Sequence, residues 1–147
     1  MEESKVGFKL RKIVTNQFAT IEMDCMDDDA INFGAEINFG IDDRKKMLAC
    51  FTQFQFIYQS LPFIILHVSC EFEITETSWN SFIDDPNHKI HFPVALLQHL
   101  AIITIGSARG ILHAKTENSN FNKYFLPAIN VKDFVEDGIS FSVGDEK

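Results

Sequence analysis

Residues 31–40 carry the feature that constrains the fold most, a strict alternation of side-chain polarity. Apolar residues occupy every odd position, and polar residues or glycine occupy every even position. Successive side chains of a β-strand point to opposite faces, so a period of two indicates a strand with one buried and one solvent-facing side. The sequence therefore predicts a sheet that is covered on one face.

Further apolar segments predict neighbouring strands. Residues 8–15 and 19–23 form one bent strand or a pair of strands, and residues 47–59 and 63–74 form two more. Adjacent β segments joined by short polar turns are typical of an antiparallel meander. We therefore expect a four-stranded antiparallel sheet over residues 7–75.

The pattern changes after residue 75. Residues 76–92 read as an irregular polar connection. Pro93 then opens a helix over residues 93–115, since proline fits the first turn, where its missing N–H is not needed. This helix is apolar almost all the way round, so it must be covered on more than one side. One side is expected to pack on the sheet and the other on a second subunit.

The end of the chain is predicted to be less regular. Residues 124–135 form a loop and a short helix capped by Asn130, and residues 136–147 form a tail with one strand-like piece at 139–143. A length of 147 residues fits a single domain. The expected fold class is α+β, a four-stranded antiparallel sheet with one long and one short helix on one face.

Phenylalanine dominates the aromatic content, with fifteen Phe against two Tyr and one Trp. Phe has no polar group, so it contributes only burial and ring contacts. A Phe-rich core is one interpretation. The other is that subunits share these side chains or that some line a groove, because contiguous exposed apolar area generally marks an interaction site.

The net charge of −8, from 21 acidic and 13 basic residues, restricts the partners. Such a chain repels polyanions, so no nucleic-acid partner is expected. A basic or unfolded polypeptide would be attracted.

The cysteines and the hydropathy pattern suggest a cytoplasmic protein. Cys25, Cys50 and Cys70 match no zinc or redox spacing and are interpreted as buried free thiols, which fits a reducing compartment. No apolar run approaches the roughly 20 residues that cross a bilayer. Residues 1–15 lack the apolar region of a signal peptide, so we expect no membrane insertion.

No residue pattern in the sequence predicts a catalytic or metal-binding site. His88 and His91 lie in a loop before Pro93 without the further ligands that zinc needs. We therefore expect no catalytic residues, no metal and no cofactor, and the chain is not predicted to be an enzyme. An enzyme or small-molecule binder stays open as an alternative if His67 or His99 lies beside a carboxylate in a closed pocket.

Several short motifs resemble, in order, the SecB family of export chaperones. Residues 9–15 are similar to the family's first strand, and residues 91–93 are similar to its Phe-Pro helix start. Residues 108–110 resemble its Arg-Gly pair, and residues 126–131 resemble the segment that leads to its second helix.

This resemblance implies a SecB-like fold, self-association as a dimer or tetramer, and ATP-independent capture of unfolded or pre-export polypeptides in apolar grooves. It also implies delivery of these clients to the SecA motor. The positions that match the client groove are Phe54, Phe56, Phe63, Leu66, Val94, Leu97, Val131 and Phe134. The positions expected at the oligomer interface are Leu100, Ile103, Gly106 and Gly110. The alternative is a dedicated interaction module on this fold that serves one client or an antitoxin, without SecA.

The chain departs from the family where the motor docks. Thr15 and Asn16 are followed by Gln17 where the family carries an acidic residue, and no acid matches near Leu66 and His67. These departures oppose hand-off to SecA and leave the capture of apolar segments unaffected.

Overall fold

The structure, a computed structural model, describes residues 6–24 and 26–143. Its strands and α-helices are, in chain order, β1 (Phe8–Thr20), β2 (Ile31–Asp42), β3 (Met47–Tyr58), β4 (Leu61–Ile74), α1 (Glu76–Ser81), β5 (Ile83–Asp84), β6 (Lys89–Phe92), α2 (Val94–Thr116) and β7 (Ile139–Ser142). Short 3-10 turns lie at Asp28–Ala30, Asp85–Asn87 and Val131–Asp133. The α+β class and the four-stranded antiparallel sheet are as predicted.

The main sheet has the strand order β1-β4-β3-β2. A two-residue turn with positive φ at Gln59 and Ser60 joins β3 to β4, which is typical of a tight hairpin. The predicted meander is correct for β2, β3 and β4, but wrong for β1, which pairs with β4 on the far side. The connection over residues 21–30 is long enough to cross the end of the sheet, which gives a Greek-key arrangement.

β1 is one bent strand rather than two. Its pairing with β4 shifts register between Leu10 and Lys12 and again between Thr15 and Gln17. Each shift is a bulge that bends the strand without ending it. The polar residues in the middle of the segment therefore stay within the strand.

The prediction of an irregular connection over residues 76–92 is wrong. This segment holds α1, β5 and β6. β6 pairs with β5 on one side and with β7 on the other, forming a second, three-stranded sheet. Trp79 of α1 is buried against Phe92 of β6, with ring centroids 5.7 Å apart. The strand predicted in the tail exists as β7, and it closes this small sheet.

The long helix begins at Val94, with Pro93 at its N-cap, and packs mainly on β3 and β4. Its buried side includes Leu97 and Leu100, both fully buried. α2 is the one helix among the described residues that is long and apolar enough to cross a membrane. A core helix meets the same test, and here one side of α2 lies against the sheet.

The predicted second helix over residues 131–135 is only a 3-10 turn at Val131–Asp133. Asn130 caps it as expected, since its side chain accepts a hydrogen bond from the Lys132 amide at 3.2 Å. One turn fixes several dihedral angles for very few hydrogen bonds, so a short segment does not extend into a helix unaided.

Cys50 and Cys70 lie opposite each other on β3 and β4, fully buried and free. Burial raises the pKa of the Cys50 thiol to about 12. The reactive form of cysteine is the thiolate, so this thiol is inert at neutral pH. The prediction of buried free thiols is confirmed for this pair, and Cys25 lies outside the described residues.

Candidate functional site

The inner face of the main sheet is only partly covered by α2. The helix packs mainly on the central strands β3 and β4. Besides Ile41, five apolar side chains of β2 on this face remain half-buried: Ile31, Phe33, Ala35, Ile37 and Phe39. They are the odd positions of the alternating segment. The face of β2 that was predicted to be buried is therefore only partly covered.

The segment over residues 121–139 faces this part of β2. Two concave regions lie along the boundary, with volumes of about 370 and 400 Å³. The first is lined by Asp28, Ile31, Phe33, Phe56, Lys123, Tyr124, Phe125 and Pro127. The second is lined by Ile37, Asn38, Phe39, Phe134, Val135, Glu136, Asp137, Gly138 and Ile139. We call these two regions together the β2 groove.

An aromatic cluster forms the floor of the first region. Phe33 stacks on Phe54 with centroids 5.9 Å apart and meets Phe56 edge-on at 5.2 Å. Tyr124 contacts both Phe56 and Phe63, at 5.7 and 5.2 Å. These contacts hold the start of the 121–139 segment against the sheet, so the groove has a fixed wall.

Two phenylalanines at the rim are exposed. The exposed fraction of Phe125 is 57% and that of Phe134 is 41%. Phe125 alternates with the buried side chains of Tyr124 and Leu126, as expected for an extended segment with one face on the core. Exposed aromatic area above a half-buried apolar strand is a surface that an apolar ligand would cover favourably.

The charged residues at the groove are mostly acidic. Asp28 lines the first region, and Glu136 and Asp137 line the second, against one basic residue, Lys123. Glu36 of β2 is also exposed, but it points to the outer face of the sheet and does not line the groove. The rim therefore favours cationic or neutral ligands over anionic ones.

Most of the predicted client contacts are buried in the single chain. Six of the eight lie in the buried core: Phe54, Phe56, Phe63, Leu66, Leu97 and Val131. β3 and β4 are central strands covered by α2, so most of their inner-face side chains support the groove wall from below. Phe56 of β3 also lines the first region of the groove. Val94 is half-buried at the start of α2, and Phe134 stands at the groove rim. Client contact at all eight positions stays a prediction.

Sequence patterns missed Phe125 and the β2 side chains of the groove. The alternation of β2 was a usable signal, but it was interpreted as a fully buried face. For Phe125, the position between two buried apolar residues gives only a weak signal, because sequence alone does not show which face meets the core.

The predicted oligomer positions fall on different sides of α2. Leu100 is fully buried on the side of the sheet and Ile103 is partly buried, whereas Gly106 and Gly110 are exposed. A Cβ added at either glycine would meet no described atom within 4 Å. Their face of the helix also carries Ala95, His99 and Ile102, and we call these five exposed residues the α2 strip. Self-association through this strip stays a prediction.

The outer face of the main sheet is polar and of mixed charge. Arg11 of β1 forms an ion pair with Glu73 of β4 at 2.6 Å, and Lys12 lies opposite Glu71. Phe51 is the large apolar side chain exposed on this face, with an exposed fraction of 40%. This face therefore differs from the β2 groove in its mixed charge, since Lys12 and Lys45 lie beside Asp42 and Glu71 around Phe51.

The histidines occupy separate environments. His67 faces Gln53 and Gln17 across the ladders of the sheet, and the His99 ring packs against Phe8 at 5.6 Å. Among the residues that the structure describes, no three His, Cys, Asp or Glu side chains come together to hold a metal ion. The expectation that the chain works without a metal stays a prediction.

Comparison with known proteins supports the fold. No protein-family model matches the sequence, and no curated protein matches it. Among solved structures, the chain is similar to the SecB-like chaperone Rv1957 of Mycobacterium tuberculosis, in complex with a ChAD peptide from the HigA1 antitoxin. The TM-score is 0.50 at 9% identity, over 84% of this chain and 91% of that one. This chain therefore has the fold of a SecB-like chaperone.

Proposed function

We propose that this chain is an ATP-independent holdase chaperone that captures unfolded or pre-export polypeptides in the β2 groove. The observation that carries the proposal is the pair of exposed rim residues, Phe125 and Phe134, facing half-buried apolar side chains of β2. The SecB-like fold supports it, since the similar solved structure is a chaperone with a bound peptide.

Capture would rest on burial of apolar area. Each Å² of apolar surface removed from water contributes about 25 cal/mol, and ordering the client offsets part of this gain. No nucleotide is needed for such binding. The acidic rim adds attraction for basic client segments, and we place the activity in the cytoplasm, where the free thiols would stay reduced.

Delivery of the client to SecA is a further step that this proposal does not require. The resemblance to the SecB family implies that SecA would dock on acidic residues of the sheet. Here Arg11 forms an ion pair with Glu73 on the outer face of the sheet and Lys12 lies opposite Glu71, so these two acidic residues have basic neighbours. We therefore limit the proposal to capture.

A test of the proposal is the aggregation of an unrelated denatured protein on dilution from urea. We expect the chain to suppress light scattering at stoichiometric amounts and without ATP. Undiminished scattering at several-fold excess of the chain would contradict the proposal.

Self-association through the α2 strip is the second element of the proposal. Ile102→Lys places a charge in this apolar strip and is expected to shift the protein from a dimer or tetramer to a monomer of 16.8 kDa by light scattering. Leu61→Lys is the matched control, because Leu61 is similarly exposed, 60% against 55%, in the β3–β4 turn. A monomeric parent protein, or an unchanged mass for the Ile102 variant, would contradict this element.

A dedicated module for one client is the second candidate. The observation that favours it is the solved SecB-like structure, whose bound peptide comes from an antitoxin. A single partner in a pull-down, together with no suppression of general aggregation, would favour this candidate over a holdase.

A further inference from the structure

We propose that Gln98 and Arg109 of α2 are positioning residues that fix the direction of the two exposed phenylalanines, Phe134 and Phe125. The inference rests on the proposed function and concerns two residues that do not line the groove. Its basis is a set of hydrogen bonds that hold the backbone of the 121–139 segment directly beside these phenylalanines.

The 121–139 segment has little backbone support of its own. Before β7 begins at Ile139, it pairs with no strand of the two sheets formed by the described residues. In the same part of the chain, its backbone bonds to other backbone groups only within local turns, such as Tyr124 to Phe121 and Phe134 to Val131. Side chains from another element must therefore fix the orientation of its peptide units.

Arg109 makes such contacts beside Phe125. Its Nε donates a hydrogen bond to the Leu126 carbonyl at 3.4 Å, and its Nη2 donates to the Pro127 carbonyl at 3.0 Å. The guanidinium is a rigid, planar donor, so one side chain fixes two successive carbonyls. The Leu126 side chain is buried, and its neighbour Phe125 therefore points outward.

Gln98 makes the equivalent contact beside Phe134. Its Nε2 donates a hydrogen bond to the carbonyl of Val135 at 2.8 Å, and the Val135 side chain is buried. The arrangement is the same as at Phe125, since an exposed phenylalanine precedes a buried residue whose carbonyl is held by α2.

The two contacts come from one face of the helix. Gln98 and Arg109 are eleven residues apart, which is three helical turns to within about 20° and a rise of roughly 16 Å. Between them, α2 also contacts the 3-10 turn at Val131–Asp133. One face of α2 thus holds the segment at both of its exposed phenylalanines.

α2 also supports the Phe125 ring itself. His113 lies one turn after Arg109, and its ring is nearly parallel to that of Phe125, with an interplanar angle of 15° and centroids 6.5 Å apart. A ring that is already ordered loses less conformational freedom when a client covers it, so positioning increases affinity. We therefore expect Gln98 and Arg109 to affect client binding through the phenylalanines.

A double-mutant cycle tests this coupling, with the affinity for a labelled unfolded client measured by fluorescence anisotropy. Arg109→Met removes the donors and keeps a long side chain, and we expect about fivefold weaker binding. On the Phe125→Ser background the same substitution should cost less than about twofold, because residues that act as a unit are not additive. On the Phe134→Ser background it should still cost about fivefold. Gln98→Met should show the opposite pairing.

Two further variants are matched controls. Arg109→Lys keeps the positive charge and a donor, and its affinity should stay within about twofold of the parent chain. Lys115→Met removes a positive charge from an exposed position on the same helix and should also stay within about twofold. Urea unfolding of each variant checks that the fold is intact.

A second measurement needs no client. Trifluoromethyl-phenylalanine is placed at position 125 or at position 134, and its fluorine resonance is recorded by NMR. Arg109→Met should shift or broaden the signal at position 125 and leave that at position 134 unchanged, and Gln98→Met should do the reverse. If the parent chain bound no client, the proposed function would fail, and these spectra would still test the positioning.

Three results would overturn the inference. The first is an equal loss of affinity on both Ser backgrounds, which would show that Arg109 and Gln98 act through the overall fold. The second is an unchanged client affinity in both Met variants. The third is a fluorine spectrum at positions 125 and 134 that neither Met substitution changes.

Discussion

Replacing Phe125 and Phe134 together by Ser is expected to weaken binding of an unfolded client by about tenfold to a hundredfold. Full burial of a Phe side chain contributes about 1.5–3 kcal/mol, and both residues are already partly covered in the free chain. Half of that gain from each residue amounts to about 1.5–3 kcal/mol in total, and each 1.4 kcal/mol is about a factor of ten in affinity. Fluorescence anisotropy of a labelled, permanently unfolded client measures the change.

The matched control is Phe51→Ser on the outer face. Phe51 and Phe134 are the same residue type with nearly equal exposed fractions, 40% and 41%, but they lie on opposite faces of the sheet. The control should leave client affinity within about twofold. Phe51 lies outside the β2 groove, so a client bound in the groove does not cover it. An equal loss in both variants would indicate nonspecific apolar association instead of a groove.

Leu97→Ala is expected to lower the free energy of unfolding by about 2–5 kcal/mol. The side chain is fully buried between α2 and the sheet, so truncation removes apolar contacts and leaves a cavity. A typical domain is stable by only about 5–15 kcal/mol, so this one change removes a large share. Urea unfolding followed by circular dichroism measures the midpoint and the slope.

The control is the same substitution at an exposed leucine. Leu61→Ala removes the side chain in the β3–β4 turn, where its exposed fraction is 60%, and should change the free energy of unfolding by about 0.5 kcal/mol or less. Equal destabilisation by the two substitutions would contradict the buried position of Leu97. A large loss of client affinity with unchanged stability would restore Leu97 to the binding surface.

The alternation of β2 shows how far sequence reasoning reaches. It correctly predicts a strand and identifies which side chains share its inner face. It does not show the strand's place in the sheet. β2 and β3 both alternate, yet Phe33 is half-buried at an edge while Phe54 beside it is almost completely buried. β2 is an edge strand because β1 pairs with β4 and not with β2. That pairing joins residues far apart in the sequence, and the period of side-chain polarity does not encode it.

The candidate site was harder to predict for the same reason. Matching short segments to a family of this fold identified apolar positions on central strands, and most of these form the core. Phe125 was not predicted because its segment is extended but not part of a sheet. Its sequence has no polarity period that would distinguish the side facing the core from the side facing solvent. The small sheet was missed because β5 has two residues and β6 has four, too few for an alternating pattern to stand out.

The most direct test of client capture in the β2 groove is photo-crosslinking from defined positions. A benzophenone amino acid in place of Phe125, and separately in place of Phe51, is irradiated with an unfolded client and the products are mapped by mass spectrometry. The account predicts strong crosslinks from the Phe125 position and weak ones from the Phe51 position. Crosslinks of equal yield from both faces, or stronger ones from the Phe51 position, would contradict it.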